Sequence, residues 1–403
     1  MTTNGLIKGV KSVEALESVG VRVKHVEQPS KESEAKDVLA KASREKLVVF
    51  PVGGGTSIAT GVLPENVDIA LDTTKMNAVA SFDSSNLNMT VQAGMTIGAI
   101  NEYLAGYGKG FRIPLDPPFS DQATIGGVYA ANSSGPSRLR FGSVRDQVLG
   151  VQALDALGAE VKFGGRVVKN VSGYDMTKFF IGSAGSLCLI TSVIMRVYPM
   201  PGATAVCDGT FTKLDDLERF LETLRGSFLL PSGVVVESVN GAYHVIAGFE
   251  DHPLAILRES RDFLDMARKY GGNGSSKDGR QALREAFRNA IEPVEEGVSV
   301  KITVPISKGP RVMEAAKKLL PQSKAVLYAG NGVICVYASR IAADDIKELK
   351  GLTDSVNGYV VPVRLHRTIL SSWGPRVDQT LNKYVLQPIK RQLDPSGVFP
   401  PVL

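Results

Sequence analysis

The segment Pro51-Val52-Gly53-Gly54-Gly55-Thr56-Ser57 sets three successive glycines and two hydroxyl side chains directly behind an apolar run, Leu47-Val48-Val49-Phe50. Glycine reaches positive φ without steric cost and lets the backbone approach a ligand with no Cβ in the way. Successive N–H groups in such a turn form a concavity for anions, and Thr56 and Ser57 add donors. A strand ending in this loop is a candidate diphosphate cradle. A glycine-rich hairpin turn is the competing reading, and the segment alone leaves both open. Other chemistries lack their residues. No helix can open the glycines as a dinucleotide GxGxxG turn requires, because Pro64 follows too soon. The Walker pattern, HExxH, GxSxG and any clustered His/Asp/Glu set are absent. Cys188, Cys207 and Cys335 are far apart and odd in number, each among apolar neighbours. Buried small side chains and a reducing compartment fit them better than disulfides, an iron–sulfur cluster or a cysteine zinc site.

The elements that must position such a loop are legible around it. At 403 residues the chain exceeds one small core and calls for two domains. A net charge of +5 without a dense Lys/Arg block argues against nucleic acid. Met1 to Gly20 is too charged for a signal peptide, and no apolar run reaches membrane-spanning length. Ala35, Val38, Leu39 and Ala42 predict an amphipathic helix over Pro29–Lys46 that feeds the strand before the glycines. Strands are expected at Val67–Leu71, Ala78–Phe82, Leu87–Ala93, Val148–Leu154, Glu160–Phe163 and Leu187–Val197, with a helix capped by Thr96. Between them, Pro114–Gly142 reads as a long loop of the kind that is often functional. Past Pro199–Gly202, a domain boundary, strands alternate with helices. The later half predicts the order βαββαβ, a ferredoxin-like unit, and the earlier half resembles it imperfectly, as two half-units sharing one sheet would. Gly271–Gly279 reads as a flexible linker, and a last helix runs from Trp373 to about Leu393.

Several Gly/Ser/Thr-rich segments recur in order over Val21–Tyr198. After Pro51–Ser57 come Val91-Gln92-Ala93-Gly94, Pro114-Leu115-Asp116-Pro117-Pro118 and Ala123-Thr124-Ile125-Gly126-Gly127. Asn132-Ser133-Ser134-Gly135, Arg140-Phe141-Gly142-Ser143-Val144-Arg145-Asp146, Lys169-Asn170-Val171-Ser172-Gly173-Tyr174-Asp175 and Gly182-Ser183-Ala184-Gly185-Ser186-Leu187 follow. Together they resemble the PCMH-type FAD-binding domain of the vanillyl-alcohol-oxidase superfamily. Lys169–Asp175 and Asp394-Pro395-Ser396-Gly397-Val398-Phe399 look most like the E-type FAD-binding subunit of glycolate oxidase, with the D-type subunit and the D-lactate dehydrogenase flavoproteins as its nearest relations.

The resemblance implies an α+β fold. Residues 1–200 would be a PCMH-type domain of two α+β subdomains, 201–372 a ferredoxin-like cap, and 373–403 a helix and tail packing back on the FAD domain. It implies that Pro51, Val52, Gly53, Gly54, Gly55, Thr56 and Ser57, with Pro118, Ser120, Asp121, Thr124, Gly126 and Gly127, hold the FAD diphosphate. Ala131, Asn132, Ser133, Ser134 and Gly135, with Gly185, Ser186, Leu187, Leu189 and Ile190, would line the remaining cofactor. Relatives with covalent FAD carry histidine where this chain has Thr56, so a dissociable FAD is expected. The D-lactate dehydrogenase and D-type subunit relatives carry a Gly-Asp-Gly-Asn-His type motif and a Glu-His-Gly segment that hold a metal and the substrate carboxylate. The nearest stretch here, Tyr328-Ala329-Gly330-Asn331-Gly332, has no histidine, and no metal site is expected.

Arg364 and His366 remain as the candidate catalytic pair. They fall on one face of an expected strand Tyr359–Leu365 and its extension, where the arginine could bind a 2-hydroxy-acid carboxylate and the histidine take the hydroxyl proton. A strand edge with solvated Arg364, His366 and Arg367 is the favoured account. His244 reads as a packed or surface residue, Asp175 as a helix cap, and Arg138 and Arg140 as phosphate partners or solvated loop charges. Three functions follow. The chain is expected to be an FAD-binding subunit of a glycolate-oxidase-like 2-hydroxy-acid dehydrogenase complex, passing electrons to a second flavoprotein subunit and an iron–sulfur subunit. It would be cytoplasmic, or peripheral at the membrane through partners. A self-sufficient D-lactate-type dehydrogenase and a non-catalytic FAD-containing scaffold are the alternatives.

Overall fold

A computed structural model describes residues 11–166, 175–293, 297–371, 373 and 379–402. The chain divides into two compact units, neither continuous in sequence. One comprises Met1–Ser134, Ser143–Pro199 and Val363–Leu403, and the other Gly135–Gly142 and Met200–Pro362. Residues 135–142, expected in the first domain, thus group with the second unit. Residues 363–372, expected in the second domain, group with the first, together with the tail from residue 373 that was expected there.

The first unit holds two α+β layers. In one, Asn66–Asp72 lies between Arg22–Glu27 and Val49–Val52, all parallel. Arg22–Glu27 escaped the sequence reading because none of its residues is fully buried, so it shows no apolar alternation. Val49–Val52 takes the sheet edge, where Pro51 can sit without depriving a neighbour of a ladder N–H. The preceding helix, Glu32–Glu45, buries Ala35, Leu39 and Ala42 along one stripe. The Glu34 carboxylate accepts from the Ser30 N–H at 2.7 Å and closes the helix start. The other layer is a five-stranded antiparallel sheet in the order Val79–Asp83, Asn88–Gln92, Leu189–Arg196, Val148–Leu154 and Glu160–Gly164. Its core gathers Met89, Val91, Val151, Val193 and Met195 with Ile97, Ile100 and Leu104 of the helix Ile97–Ala105, which Thr96 caps as expected.

In the second unit one sheet runs Asn273–Asp278, Ala203–Phe211, Ala242–Asp251, Gly233–Val239, Lys324–Tyr328, Val333–Ala338, Val298–Thr303 and Tyr359–Arg364. Read from each outer edge inward, both halves have the order fourth, first, third, second strand of a βαββαβ unit. They join between Gly233–Val239 and Lys324–Tyr328. The imperfect early half-unit is therefore complete. What seemed to be missing was its fourth strand, because Gly271–Gly279 is not a linker but contains the edge strand Asn273–Asp278, antiparallel to Ala203–Phe211. All six of its residues are exposed, so backbone hydrogen bonds hold it and its side chains carry no strand pattern. The helix Leu214–Arg225 buries Leu217, Phe220, Leu221 and Leu224, and Phe220 stacks on Phe211 and Phe263 at 4.9 and 5.3 Å between ring centres.

Two further expectations shift. Pro114–Gly142 is not wholly loop, since Ile125–Ala131 and Arg138–Phe141 are short helices. Of the last expected helix, residues 374–378 lie outside the described residues. From Gln379 to Leu393 the chain is helical, with a π-helical stretch over Asn382–Leu386.

Candidate functional site

The edge strand Val49–Val52 delivers the glycine loop to an open cleft in the first unit. Gly53 and Gly54 lie where a side chain cannot. A Cβ on Gly53 would stand 2.1 Å from Thr124 Oγ1, and one on Gly54 1.8 Å from the Gln122 carbonyl oxygen. Gly55 turns the chain through φ +71°. Among the described residues, no backbone hydrogen bond is donated by Gly53 through Ser57. A run of N–H groups without protein acceptors beside a cleft is the donor set that an anionic ligand needs.

The second expected cradle behaves differently. Gln122 and Ala123 both donate to the Phe119 carbonyl at 2.8 Å, Ile125 to Met95 at 2.9 Å and Gly126 to Ala93 at 2.8 Å. Those amides are committed to the fold. The loop's own carbonyls cap the helix Ile97–Ala105, with Ile97 donating to Ala123 at 3.0 Å and Gly98 to Ser120 at 2.9 Å. What this region gives the cleft is small side chains: Thr124, Gly126, Gly127, Ala130 and Ala131 line it.

The cleft thus brings together Pro51 to Ser57, Thr124, Gly126, Gly127, Ala131, Gly185, Leu189 and Ile190 of the expected residues. Pro118, Ser120, Asp121, Asn132, Ser133, Ser134, Ser186 and Leu187 are not among the lining, and Gly135 belongs to the second unit. Asn132 instead ends the helix Ile125–Ala131 in the left-handed region at φ +50°. Sequence reasoning missed Phe50, Ile58, Thr60, Thr73, Ala93, Ala130 and Ala184 as lining residues. Widening each named stretch by one position would have found Phe50, Ile58, Ala130 and Ala184.

Among the described residues, no Asp, Glu, Lys, Arg or His side chain lines the cleft. Cys188 is the one ionisable group among them, and burial pushes its thiol far above the ordinary cysteine range, so it stays protonated. Behind the wall, buried Asp72 accepts from Ser12 Oγ at 2.6 Å, Gln28 Nε2 at 2.9 Å and the Thr74 N–H at 2.8 Å. That network fixes the turn carrying Thr73, which donates to the Val52 carbonyl at 3.3 Å.

The candidate catalytic pair lies elsewhere in the first unit. The strand ends at Arg364 and not at Leu365, and His366 begins the helix Arg367–Ser371. His366 Nδ1 meets Thr368 Oγ1 at 2.8 Å, and its ring packs where a Cβ on Gly20 would otherwise be. Arg364 donates to Ser18 Oγ at 3.3 Å, and Arg367 pairs with Glu65 at 3.1 Å. Neither Arg364 nor His366 lines the cleft. Arg140 belongs to the second unit and donates to the Glu250 carbonyl at 2.6 Å. His244 faces Thr210 Oγ1 at 3.2 Å on its strand, and Asp175 caps the turn Met176–Lys178 through the Thr177 N–H at 3.3 Å. Lys169–Tyr174 lie outside the described residues. All three cysteines are free. Among the described residues, no cluster of metal-ligating side chains occurs, and no helix is long and apolar enough to cross a membrane.

Known proteins match this arrangement. Residues 23–164 match the family described as FAD binding domain. The D-lactate dehydrogenase of Archaeoglobus fulgidus is 32% identical over 60% of this chain and 56% of its own length. Glycolate oxidase subunit GlcD of Bacillus subtilis is 29% identical over 51% of this chain and 43% of that protein. Glycolate oxidase subunit GlcE of Escherichia coli is 36% identical over 33% of this chain and 38% of that protein. The chain therefore spans about half or less of the length of these curated relatives. Among solved structures, alkyldihydroxyacetonephosphate synthase superposes with a TM-score of 0.71 at 17% identity, covering 93% of this chain and 75% of that one. A BBE-like 1 protein of Physcomitrella patens superposes with 0.70 at 16% identity, covering 98% and 95%. At such identities these two speak for the fold, and both units of the chain take part in it. The glycine loop and its unused amides thus lie within residues 23–164, the stretch of this chain that matches the FAD binding domain family.

Proposed function

We propose that this chain is the FAD-binding subunit of a 2-hydroxy-acid dehydrogenase complex of the glycolate oxidase type, holding its FAD without a covalent bond. The observation that carries the cofactor reading is the run Gly53–Ser57, whose N–H groups have no acceptor among the described residues and face a cleft. These amides, with the Thr56 and Ser57 hydroxyls, would bind the diphosphate. Ala131, Ala184, Leu189 and Ile190 would pack against the flat apolar parts of the cofactor and keep water from them. When bound, FAD supplies the hydride acceptor for oxidation of a carbon that bears a hydroxyl. Thr56 stands where covalent relatives carry histidine and no histidine lines the cleft, which supports a dissociable cofactor.

Relatives named glycolate oxidase subunits, D-lactate dehydrogenase and D-2-hydroxyglutarate dehydrogenase support the substrate class. Two relatives are named as subunits of glycolate oxidase, which supports partner subunits for this chain. We take these to be a second flavoprotein and an iron–sulfur protein, whose cluster this chain's three separated cysteines cannot hold. If substrate chemistry occurs within this chain, Arg364 and His366 are its assigned pair. Their contacts with Ser18 and Thr368 speak for a structural part instead. The uncharged lining favours a second reading, an FAD-holding subunit that does not itself oxidise substrate. Anaerobic addition of glycolate, D-lactate or D-2-hydroxyglutarate to the FAD-loaded chain tests this, alone and with co-expressed partners. The proposal expects bleaching of the flavin absorbance only with partners. Bleaching of the isolated chain would support a self-sufficient dehydrogenase, and none in either sample would leave the scaffold reading.

A further inference from the structure

The described part of the chain beyond the second unit touches the cleft's supports at three places. At the stem of the glycine loop, the Val49 N–H donates to the Val398 carbonyl at 2.7 Å. At the loop's far end, the Ala59 N–H donates to the Val363 carbonyl at 3.0 Å. The third place is the turn Ser183–Ser186, closed by the Ser186 N–H and Oγ on the Ser183 carbonyl at 2.9 and 2.7 Å. Its middle residues, Ala184 at φ +50° and Gly185 at φ +75°, both line the cleft. The left-handed region is disfavoured for alanine, so the turn depends on anchors outside it. One anchor is the Ala130 carbonyl, which accepts from the Ala184 N–H at 2.8 Å. The other is Lys390, whose Nζ donates to the Ser186 carbonyl at 2.7 Å.

Lys390 is 8% exposed, and besides Ser186 its ammonium meets Asp394 Oδ2 at 2.5 Å and the carbonyls of Phe399 and Pro400 at 3.0 and 2.9 Å. Asp394, 4% exposed, accepts in turn from the Val398 and Phe399 N–H groups at 2.7 and 2.8 Å. Val398 and Phe399 are buried in the core shared with Leu189 and Val49. A buried charge is tolerated only where its hydrogen bonds are satisfied, so this lysine and aspartate hold the tail in one geometry. The same ammonium that closes the tail also holds the cleft's turn.

We propose that the segments 363–371 and 379–402 form a strap that sets both walls of the cofactor cleft. Lys390 is its positioning residue, so that docking of the C-terminal tail and retention of FAD are coupled. Because coupling is reciprocal, FAD tightens the tail as much as the tail tightens FAD. The inference rests on the reading that FAD occupies this cleft. Its test is FAD titration of the full-length apoprotein as wild type, as Lys390→Met and as Leu104→Ala. The last is a core truncation in the helix Ile97–Ala105 that serves as a stability control. Amide exchange of the wild type with and without FAD accompanies the titration. Lys390→Met should weaken FAD binding by about tenfold or more, while Leu104→Ala stays within about twofold. FAD should slow exchange at Val398 and Phe399 by about 5- to 150-fold, beyond any slowing in the helix Ile97–Ala105. Equal FAD affinity in Lys390→Met and the control, or tail exchange that FAD leaves unchanged, would overturn the strap alone. A wild type that binds no FAD would overturn the cleft reading and the strap with it. If Lys390→Met does not fold, the exchange measurement on the wild type decides.

Discussion

Gly54 and Glu259 show how single residues carry the two kinds of information in this chain. Gly54 is held against the Gln122 carbonyl so closely that even a methyl group must displace backbone. Gly54→Ala should therefore weaken FAD binding by at least about tenfold, or ~1.4 kcal/mol, measured by titration of the apoprotein. Binding equal to the wild type would show that the loop does not take the position described. That glycine was legible in the sequence because its use is local, a strand followed by residues without Cβ. Glu259 was not legible. It is 2% exposed on the helix Pro253–Lys269, with one oxygen accepting from the Leu230 N–H at 3.2 Å and the other unpartnered. Burial raises its pKa, with Asp251 adding and Arg140 and Arg258 opposing. The folded state then holds its proton above the ordinary value of 4.5, so Glu259 costs stability as the pH rises from 4.5 through the raised pKa. Glu259→Gln should gain on the wild type in denaturant midpoint over that range, with a constant difference below it. A difference independent of pH would rule out a titrating Glu259. The common strand face expected for Arg364 and His366 does not extend to the histidine for a physical reason: period two holds only inside a strand, and the strand stops at Arg364.

At the scale of elements, apolar spacing was enough wherever a face is buried. The stripe Ala35, Leu39 and Ala42 and the helix Leu214–Arg225 stand where their patterns put them. Spacing was silent where the backbone alone does the work. Asn273–Asp278 is a strand of asparagine, glycine, serine and charged residues, and Ser275 Oγ donates from it to Asp208 at 2.6 Å. Its polar edge also discourages pairing with another chain. Glycine inside a helix is the converse case. Gly351 lies in Ala343–Asp354 with open space where its Cβ would be. Gly351→Ala should raise stability by roughly 0.5–1 kcal/mol, read from chemical unfolding, because alanine removes the entropic penalty of a helical glycine. A loss of stability would mean that this turn of the helix is not formed.

For the whole molecule, chain order was the part the sequence could not reveal. The α+β class and the two layers of the first unit came with the family resemblance, and the paired half-units of the second with local patterns. The regrouping of residues 135–142 and 363–372 depends on contacts between segments a hundred or more residues apart, such as Arg140 with Glu250 or Ala59 with Val363. No local pattern encodes those. The site shared this fate. Motifs named the loops, but only the fold showed that the amides of Gln122, Ala123, Ile125 and Gly126 are spent internally while those of Gly53–Ser57 stay open. The central claim, that this open loop holds FAD by hydrogen bonds alone, is tested most directly by acid denaturation of the FAD-loaded protein followed by separation of soluble and precipitated fractions. The predicted result is that all of the flavin is recovered in solution as intact FAD. Flavin that stays attached to the precipitated polypeptide would contradict it.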